Sequence, residues 1–319
     1  MRIGIDLGGT NIAAAFVDKD GSITKRVSIP ANASGGPEAV IDGLMNVCKI
    51  LLDDTPEKPS SIGIGVPGTV NDEAGEVVFT PNLPFHNINI TRGLQNAYNC
   101  PVRLGNDANC AALGETVAGG AKGAQDVAFI TLGTGVGGGI ILGGRLFTGL
   151  SGAASELGHM VIVAGGRKCG CGRHGCWESY ASASGLIRTA IEIMGEYKDS
   201  LLWEFCGGMT EKIDGKAIFD AFRTGDHAAR LTVDKYIEHL AAGIVNIINV
   251  LEPEMICIGG GIANSWECLS DPLQSLVDAE KFFRHSPCAP QTKIVKAQLG
   301  NDAGIIGAAM LGRGIEQPC

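Results

Sequence analysis

Ile3, Ile5 and Leu7 alternate with Gly4 and Asp6 at the start of the chain, so Arg2 to Asp6 reads as a strand that ends in a Gly8-Gly9 turn. Ile12 to Val17 continues as a second strand. The Asp18-Lys19-Asp20-Gly21 turn then leads into a third, Ser22 to Ile29, and together they predict an antiparallel meander. From Pro37 the period changes. Val40, Ile41, Leu44, Cys48 and Leu51 recur mainly at steps of three and four, which predicts an amphipathic helix opened by the proline. Ile62 to Val66 is a short strand running into Pro67-Gly68, and Val102 to Leu104 is another. Asn106-Asp107 stand where a helix from Ala108 needs its N-terminal cap.

The pattern then restarts. Ile130-Thr131-Leu132-Gly133-Thr134-Gly135 repeats the shape of Ile5-Asp6-Leu7-Gly8-Gly9-Thr10 at an offset of 125 residues, each copy a strand, a glycine-rich turn and a second strand. Long helical stretches follow, notably Ala228 to Leu251, and then a strand, Met255 to Ile258, that ends in Gly259-Gly260-Gly261. Alternating strands and helices built on two equivalent meanders predict an α/β protein of two domains with a cleft between them, a division that 319 residues also favour.

Composition narrows the function. Hydrophobic residues make up 45% and charged residues 18%, which excludes a disordered chain. A net charge of -9 without a local basic cluster argues against a nucleic-acid partner. Asp6 falls where a signal peptide would need its apolar segment. The longest uncharged run, Val127 to Gly144, holds seven glycines and reads as strands and turns rather than a membrane helix, so no membrane association is expected. Eleven cysteines lack a disulfide-like spacing, which suits a reducing cytoplasm.

Glycine is abundant, 47 of 319 residues, and the two matched turns give that abundance a chemical use. A glycine-rich hairpin turn can direct several backbone N–H groups at one anion, because no Cβ obstructs the approach. Gly8, Gly9, Gly133 and Gly135, with Thr10, Asn11 and Thr134 as side-chain donors, are therefore candidates for nucleotide phosphates, and Asp6 could hold Mg²⁺ through water. Gly133 to Gly138 also satisfies G-x-G-x-x-G, but that fingerprint must open a helix and here a strand follows. No G-x-x-x-x-G-K-[ST] occurs, so P-loop chemistry is excluded.

Cys169, Cys171 and Cys176 lie within eight residues on a glycine-rich loop, and His159 is ten residues upstream. Cys₃His is a closed tetrahedral zinc set, which makes the expected metal structural. The loop braces two carboxylates, Glu156 and Glu178. If one His159 nitrogen binds zinc, the other becomes an oriented N–H donor suited to a polyol hydroxyl. Asp107, at the positive end of its helix, is a candidate to orient an attacking alcohol and accept its proton in phosphoryl transfer.

Assembled, these segments resemble the ROK family (repressors, open reading frames, kinases) of the actin-like, hexokinase-type ATPase superfamily over essentially the whole chain. Asp6-Leu7-Gly8-Gly9-Thr10-Asn11 and Leu132 to Gly139 are similar to its two phosphate motifs. Glu156-Leu157-Gly158-His159 and Cys169 to Glu178 are similar to its sugar and zinc signatures. The resemblance implies a two-domain actin-like (ribonuclease H-like) fold with duplicated βββαβαβα units. Residues 1–115, with a C-terminal helix at about 302–319, would form the smaller domain, and 116–301 the larger domain with the zinc loop. It further implies that Asp107 is the general base, that Asn106, Glu156, His159 and Glu178 bind sugar hydroxyls, that Gly68 and Asn82 line the pocket, and that Gly260 and Gly261 lie near the adenosine. ATP, Mg²⁺, structural Zn²⁺ and a homodimer follow from the same resemblance.

Two positions depart from the family pattern. Asn82-Leu83-Pro84-Phe85-His86 stands where family glucokinases often read Asn-x-Pro-Gly-Trp, and Ser155 stands where glycine commonly precedes the glutamate. The expected reaction is transfer of the ATP γ-phosphoryl group to the 6-hydroxyl of an aldohexose, glucose first, with N-acetylmannosamine or N-acetylglucosamine as the alternative acceptor. Family repressors carry a DNA-binding domain ahead of the first phosphate motif. Only five residues precede Asp6 here, which leaves a protein-binding sugar sensor as the non-catalytic alternative.

Overall fold

The computed structural model describes residues 1–53, 55, 58–285 and 291–312. In chain order its strands and helices are β1 (Arg2–Leu7), β2 (Asn11–Val17), β3 (Ile23–Pro30), α1 (Gly36–Leu52), β4 (Ser61–Val66), β5 (Thr69–Asn71), β6 (Glu76–Phe79), β7 (His86–Asn89), α2 (Arg92–Tyr98), β8 (Val102–Asn106), α3 (Asp107–Ala118), β9 (Val127–Leu132), β10 (Val136–Leu142) and β11 (Arg145–Leu146). They continue with α4 (Glu178–Ala181), α5 (Ala183–Met194), α6 (Leu201–Phe205), α7 (Gly215–Arg223), α8 (His227–Leu251), β12 (Met255–Gly259), α9 (Trp266–Glu280), β13 (Lys293–Lys296) and α10 (Asp302–Ala309). The chain divides into two compact units, one of Met1–Phe129, Gly138–Ser155 and Ala297–Cys319, the other of Ile130–Gly137 and Glu156–Lys296. Of the helix expected over 302–319, only Asp302–Ala309 is helical, residues 310–312 form a turn, and residues 313–319 lie outside the described residues, as does Cys288.

The first sheet has the order β3-β2-β1-β4-β8. β1 to β3 form the expected meander, and β4 and β8 extend it in parallel, so that Asp6 is level with Gly65 and Val66 with Asn106. The second sheet, β11-β10-β9-β12-β13, has the same topological order, the structural counterpart of the sequence repeat. A third, three-stranded antiparallel sheet (β5-β6-β7) fills residues 69–89, where sequence patterning predicts nothing, because its strands are only three or four residues long.

In the first unit the predicted apolar face of α1 is buried at Val40, Leu44, Cys48 and Leu51, joined by Val47, which the pattern does not single out, while Ile41 is half-buried at its margin. The opposite side of the sheet explains part of the glycine excess. Gly4 and Gly63 are register partners on β1 and β4, and a Cβ on either would overlap a backbone carbonyl of α10, that of Ile305 or Ala308. Two strands without side chains at this level let α10 lie directly on the sheet. Gly114 of α3 and Gly307 of α10 permit an equally close helix crossing. One charge is built into this packing. Glu115 on α3 is 1% exposed, and its carboxylate accepts from the backbone N–H groups of Gly120 (2.8 Å), Gln298 (3.0 Å) and Leu299 (2.8 Å), which holds the segment leading into α10.

The second unit is arranged on α8, a 25-residue helix capped by Asp226, against which α5, α7 and α9 pack. Tyr236 of α8 is fully buried, and its hydroxyl donates to the carbonyl oxygen of Ala181 at 2.7 Å. Among the described residues no helix is long and apolar enough to cross a membrane.

Candidate active site

In the first unit, three neighbouring parallel strands deliver functional groups at their carboxyl ends, the usual location of ligands in α/β sheets. Asp6 lies near the end of β1, Gly68 follows β4, and Asn106-Asp107 join β8 to α3. The helix starts at Asp107 rather than at Ala108, with Asn106 as its cap, and Asp107 Oδ1 also accepts from the N–H of Ala108 at 2.8 Å. Asn106 Oδ1 accepts from the N–H of Ala108 (3.0 Å) and Asn109 (3.2 Å), and its Nδ2 donates to the carbonyl of Gly68 (3.1 Å). Both functions of the Asn106 amide are thus engaged, and the cap aims the exposed first residue of the helix, Asp107. Gly68 has φ +149, and a Cβ there would strike the Phe79 carbonyl.

Asp6 is largely enclosed, with Gly304 of α10 beside it, where a Cβ would be 3.4 Å from the Asp6 carboxyl carbon. Burial, reinforced by the charge of Asp107, raises its carboxyl to about 6. A cation beside Asp6 would offset both effects. The Gly8–Asn11 turn is closed by Gly8 N–H donating to Asn11 O at 2.9 Å, and Gly9, Thr10 and Asn11 are exposed. Gly9 lies against Asn82, with a Cβ position 3.4 Å from the asparagine Cβ, so the structure brings these two sequence candidates together.

In the second unit, the turn between β9 and β10 is closed by Gly133 N–H donating to Gly135 O at 3.0 Å. Gly260 underlies the start of this turn, with φ +85 and no room for a Cβ beside the Leu132 backbone; Gly261 follows it in open space. Gly158 packs on the Val136 carbonyl, which ties the Glu156–His159 segment to the same turn. Glu156 is exposed at the head of the short 3₁₀ turn Leu157–His159.

The donor atoms of His159, Cys169, Cys171 and Cys176 all lie within 4.8 Å of one another. Cys171 Sγ and Cys176 Sγ are 3.7 Å apart, and His159 Nδ1 is 3.8 Å from Cys169 Sγ. A tetrahedron with metal–sulfur bonds of about 2.3 Å has edges of about 3.8 Å, so the set fits a zinc ion. With Nδ1 turned into the cluster, Nε2 is the ring nitrogen left to donate. One connection has no sequence signal: Glu178 Oε2 accepts from Val136 N–H at 3.0 Å, while Oε1 is 3.5 Å from Cys169 Sγ.

Ser155 adopts φ +69, a left-handed conformation that favours glycine. Its hydroxyl donates to the Phe147 carbonyl at 3.2 Å.

Two five-stranded sheets of one strand order, each with a glycine-rich hairpin turn, define a protein of the actin-like ATPase fold. The chain belongs to the ROK family, whose sequence model matches residues 2–314. A glucokinase of Thermotoga maritima is 38% identical over 311 residues, 97% of this chain and 96% of that one. A glucokinase of Streptomyces coelicolor is 36% identical over 318 residues, with 98% of each chain covered. Among solved structures, a ROK family glucokinase from Streptomyces griseus in complex with glucose and AMPPNP superposes with a TM-score of 0.77 at 34% identity, covering 97% of this chain and 98% of that one.

Proposed function

We propose that the chain phosphorylates the 6-hydroxyl of an aldohexose with ATP, and that glucose is its preferred acceptor. The observation that carries this reading is the convergence of Asp6, Gly68 and Asn106-Asp107 at the ends of three adjacent parallel strands, in a chain whose relatives at 36–38% identity are glucokinases. Asp107 orients the hydroxyl and takes its proton as oxygen attacks the γ-phosphorus and ADP departs. Such a base need not be strong, because positioning and charge neutralisation carry most of phosphoryl transfer. Asn106, Glu156, Glu178 and His159 Nε2 hold the sugar hydroxyls, and Gly68 and Asn82 line the pocket. The turns at Gly8–Asn11 and Gly133–Gly135 receive phosphates through backbone N–H groups, and Gly260-Gly261 lie by the adenosine. Mg²⁺, held through water by Asp6, supplies neutralisation of phosphate charge. Zn²⁺ on His159, Cys169, Cys171 and Cys176 supplies rigidity. A cytoplasmic homodimer completes the reading.

A coupled ADP-release assay over glucose, mannose, N-acetylglucosamine and N-acetylmannosamine tests it, with the product's phosphate position read by NMR. Glucose 6-phosphate at the highest kcat/KM is expected. Faster turnover of an N-acetylhexosamine would reassign the sugar, and binding without turnover of any of them would leave a sensor.

A further inference from the structure

Glu178 does something that a sugar ligand alone need not do. It is the first residue of α4, two positions after the last metal-loop cysteine, and its Oε2 accepts the N–H of Val136, the residue that follows the second glycine turn. The contact is intimate: a Cβ on Gly135 would overlap the same oxygen. A carboxylate is therefore seated on the amide edge of the turn assigned above to phosphate, where it occupies a donor and adds a negative charge. Phosphate and carboxylate compete for such a place, because like charges at hydrogen-bond distance from one N–H oppose each other strongly.

We infer that Glu178 is a positioning residue that couples the sugar to the nucleotide. While its carboxylate covers Val136 N–H it disfavours the phosphates. Hydrogen bonds from sugar hydroxyls to Glu178 disperse part of that charge, and the turn becomes a better anion site. This inference rests on the reading that Gly133–Gly135 binds phosphate and that Glu178 meets the sugar. Linkage makes the effect reciprocal, so nucleotide tightens sugar binding by the same factor.

The test is calorimetric binding of AMPPNP with Mg²⁺ to the metal-loaded full chain, with and without saturating glucose. Glucose is expected to tighten AMPPNP by about tenfold, within the usual range for coupled sites. Glu178→Gln, which can still accept from Val136 but carries no charge, is expected to bind AMPPNP about five- to tenfold more tightly than the parent protein in the absence of sugar. Glucose should then add little. Unchanged or weaker sugar-free binding by Glu178→Gln, with the parent melting profile and zinc content, would overturn the coupling. Thr134→Val separates this from the underlying reading: if it weakens AMPPNP while Glu178→Gln has no effect, the turn binds phosphate and the coupling is wrong. If Thr134→Val leaves AMPPNP binding untouched, the phosphate assignment itself fails.

Discussion

The indole of Trp177 lies against α8 where Gly243 has no side chain, and its Nε1 donates to the carbonyl oxygen of His239, one turn earlier, at 2.8 Å. The residue next to the last metal-loop cysteine is thereby set into the helix around which the second unit is built.

Gly243→Ala tests this seat. In an exposed helix the change stabilises by up to about 1 kcal/mol, but here the methyl would enter the ring and overpacking costs about 1–3 kcal/mol. Urea unfolding should show a net loss, and a variant more stable than the parent would contradict the packing.

Asp107→Asn keeps the shape of the first residue of α3 and removes its basicity. General-base loss costs about 10²–10⁴ in rate, so kcat should fall by that order while glucose binding, read by calorimetry, persists. Near-normal kcat would remove Asp107 from its role.

Glu115→Gln leaves one acceptor oxygen and brings an NH₂ group against backbone N–H groups of Gly120, Gln298 or Leu299. A buried unsatisfied donor costs about 1–3 kcal/mol, more where a charge was involved, so the melting temperature should drop by several degrees. An unchanged melting temperature would show that these bonds contribute nothing net.

His239 sets an acid limit on stability. Its ring is 4.7 Å from that of Tyr180, and among the described residues its Nδ1 is buried without a hydrogen-bond partner. Burial, helped by Lys235 and Arg167, lowers its pKa from 6.5 to about 4. The folded value lies below the unfolded one, so the unfolded chain binds the proton more readily. This contribution is fully present above about pH 6.5 and is lost as the pH falls toward about 4. His239→Gln should flatten the melting temperature across that window, and an equally steep profile would assign the acid limit to other groups.

Cys171→Ser removes one donor of the Cys₃His set. The variant should lose bound zinc by elemental analysis, melt at lower temperature, and show a glucose KM raised about 10–100-fold, because His159 and the Glu178 loop lose their anchor. A metal-free variant with the parent KM would separate the loop from the sugar.

Local patterns in the sequence expose much of this architecture. The β1–β3 meander, α1, the β8–α3 junction, α8 and the repeated turn are legible because each is specified by neighbours in sequence: alternation, helical period, a cap, a glycine pair. The four-donor cluster is legible for the same reason, since three of its members share one loop. What is not legible depends on distant partners. Glu115 reads as an ordinary helical acid, yet it binds amides 183 and 184 residues away. Val136 has no chemically distinctive side chain, and only its N–H meets Glu178. β5 to β7 are too short for a period-two pattern to declare itself. The left-handed backbone of Ser155 is foreshadowed only by the glycine that the family commonly carries there.

The bare glycine floor of β1 and β4 also constrains the order in which the protein can be made. Gly4 and Gly63 emerge early from the ribosome, but the helix that covers them, α10, is translated last among the described helices. The first unit must therefore wait, its sheet exposed on one side, until more than 200 intervening residues have been synthesised, and contacts of such separation form slowly. A nascent chain stalled before residue 302 should hold a partly formed N-terminal sheet and be a natural client for chaperones.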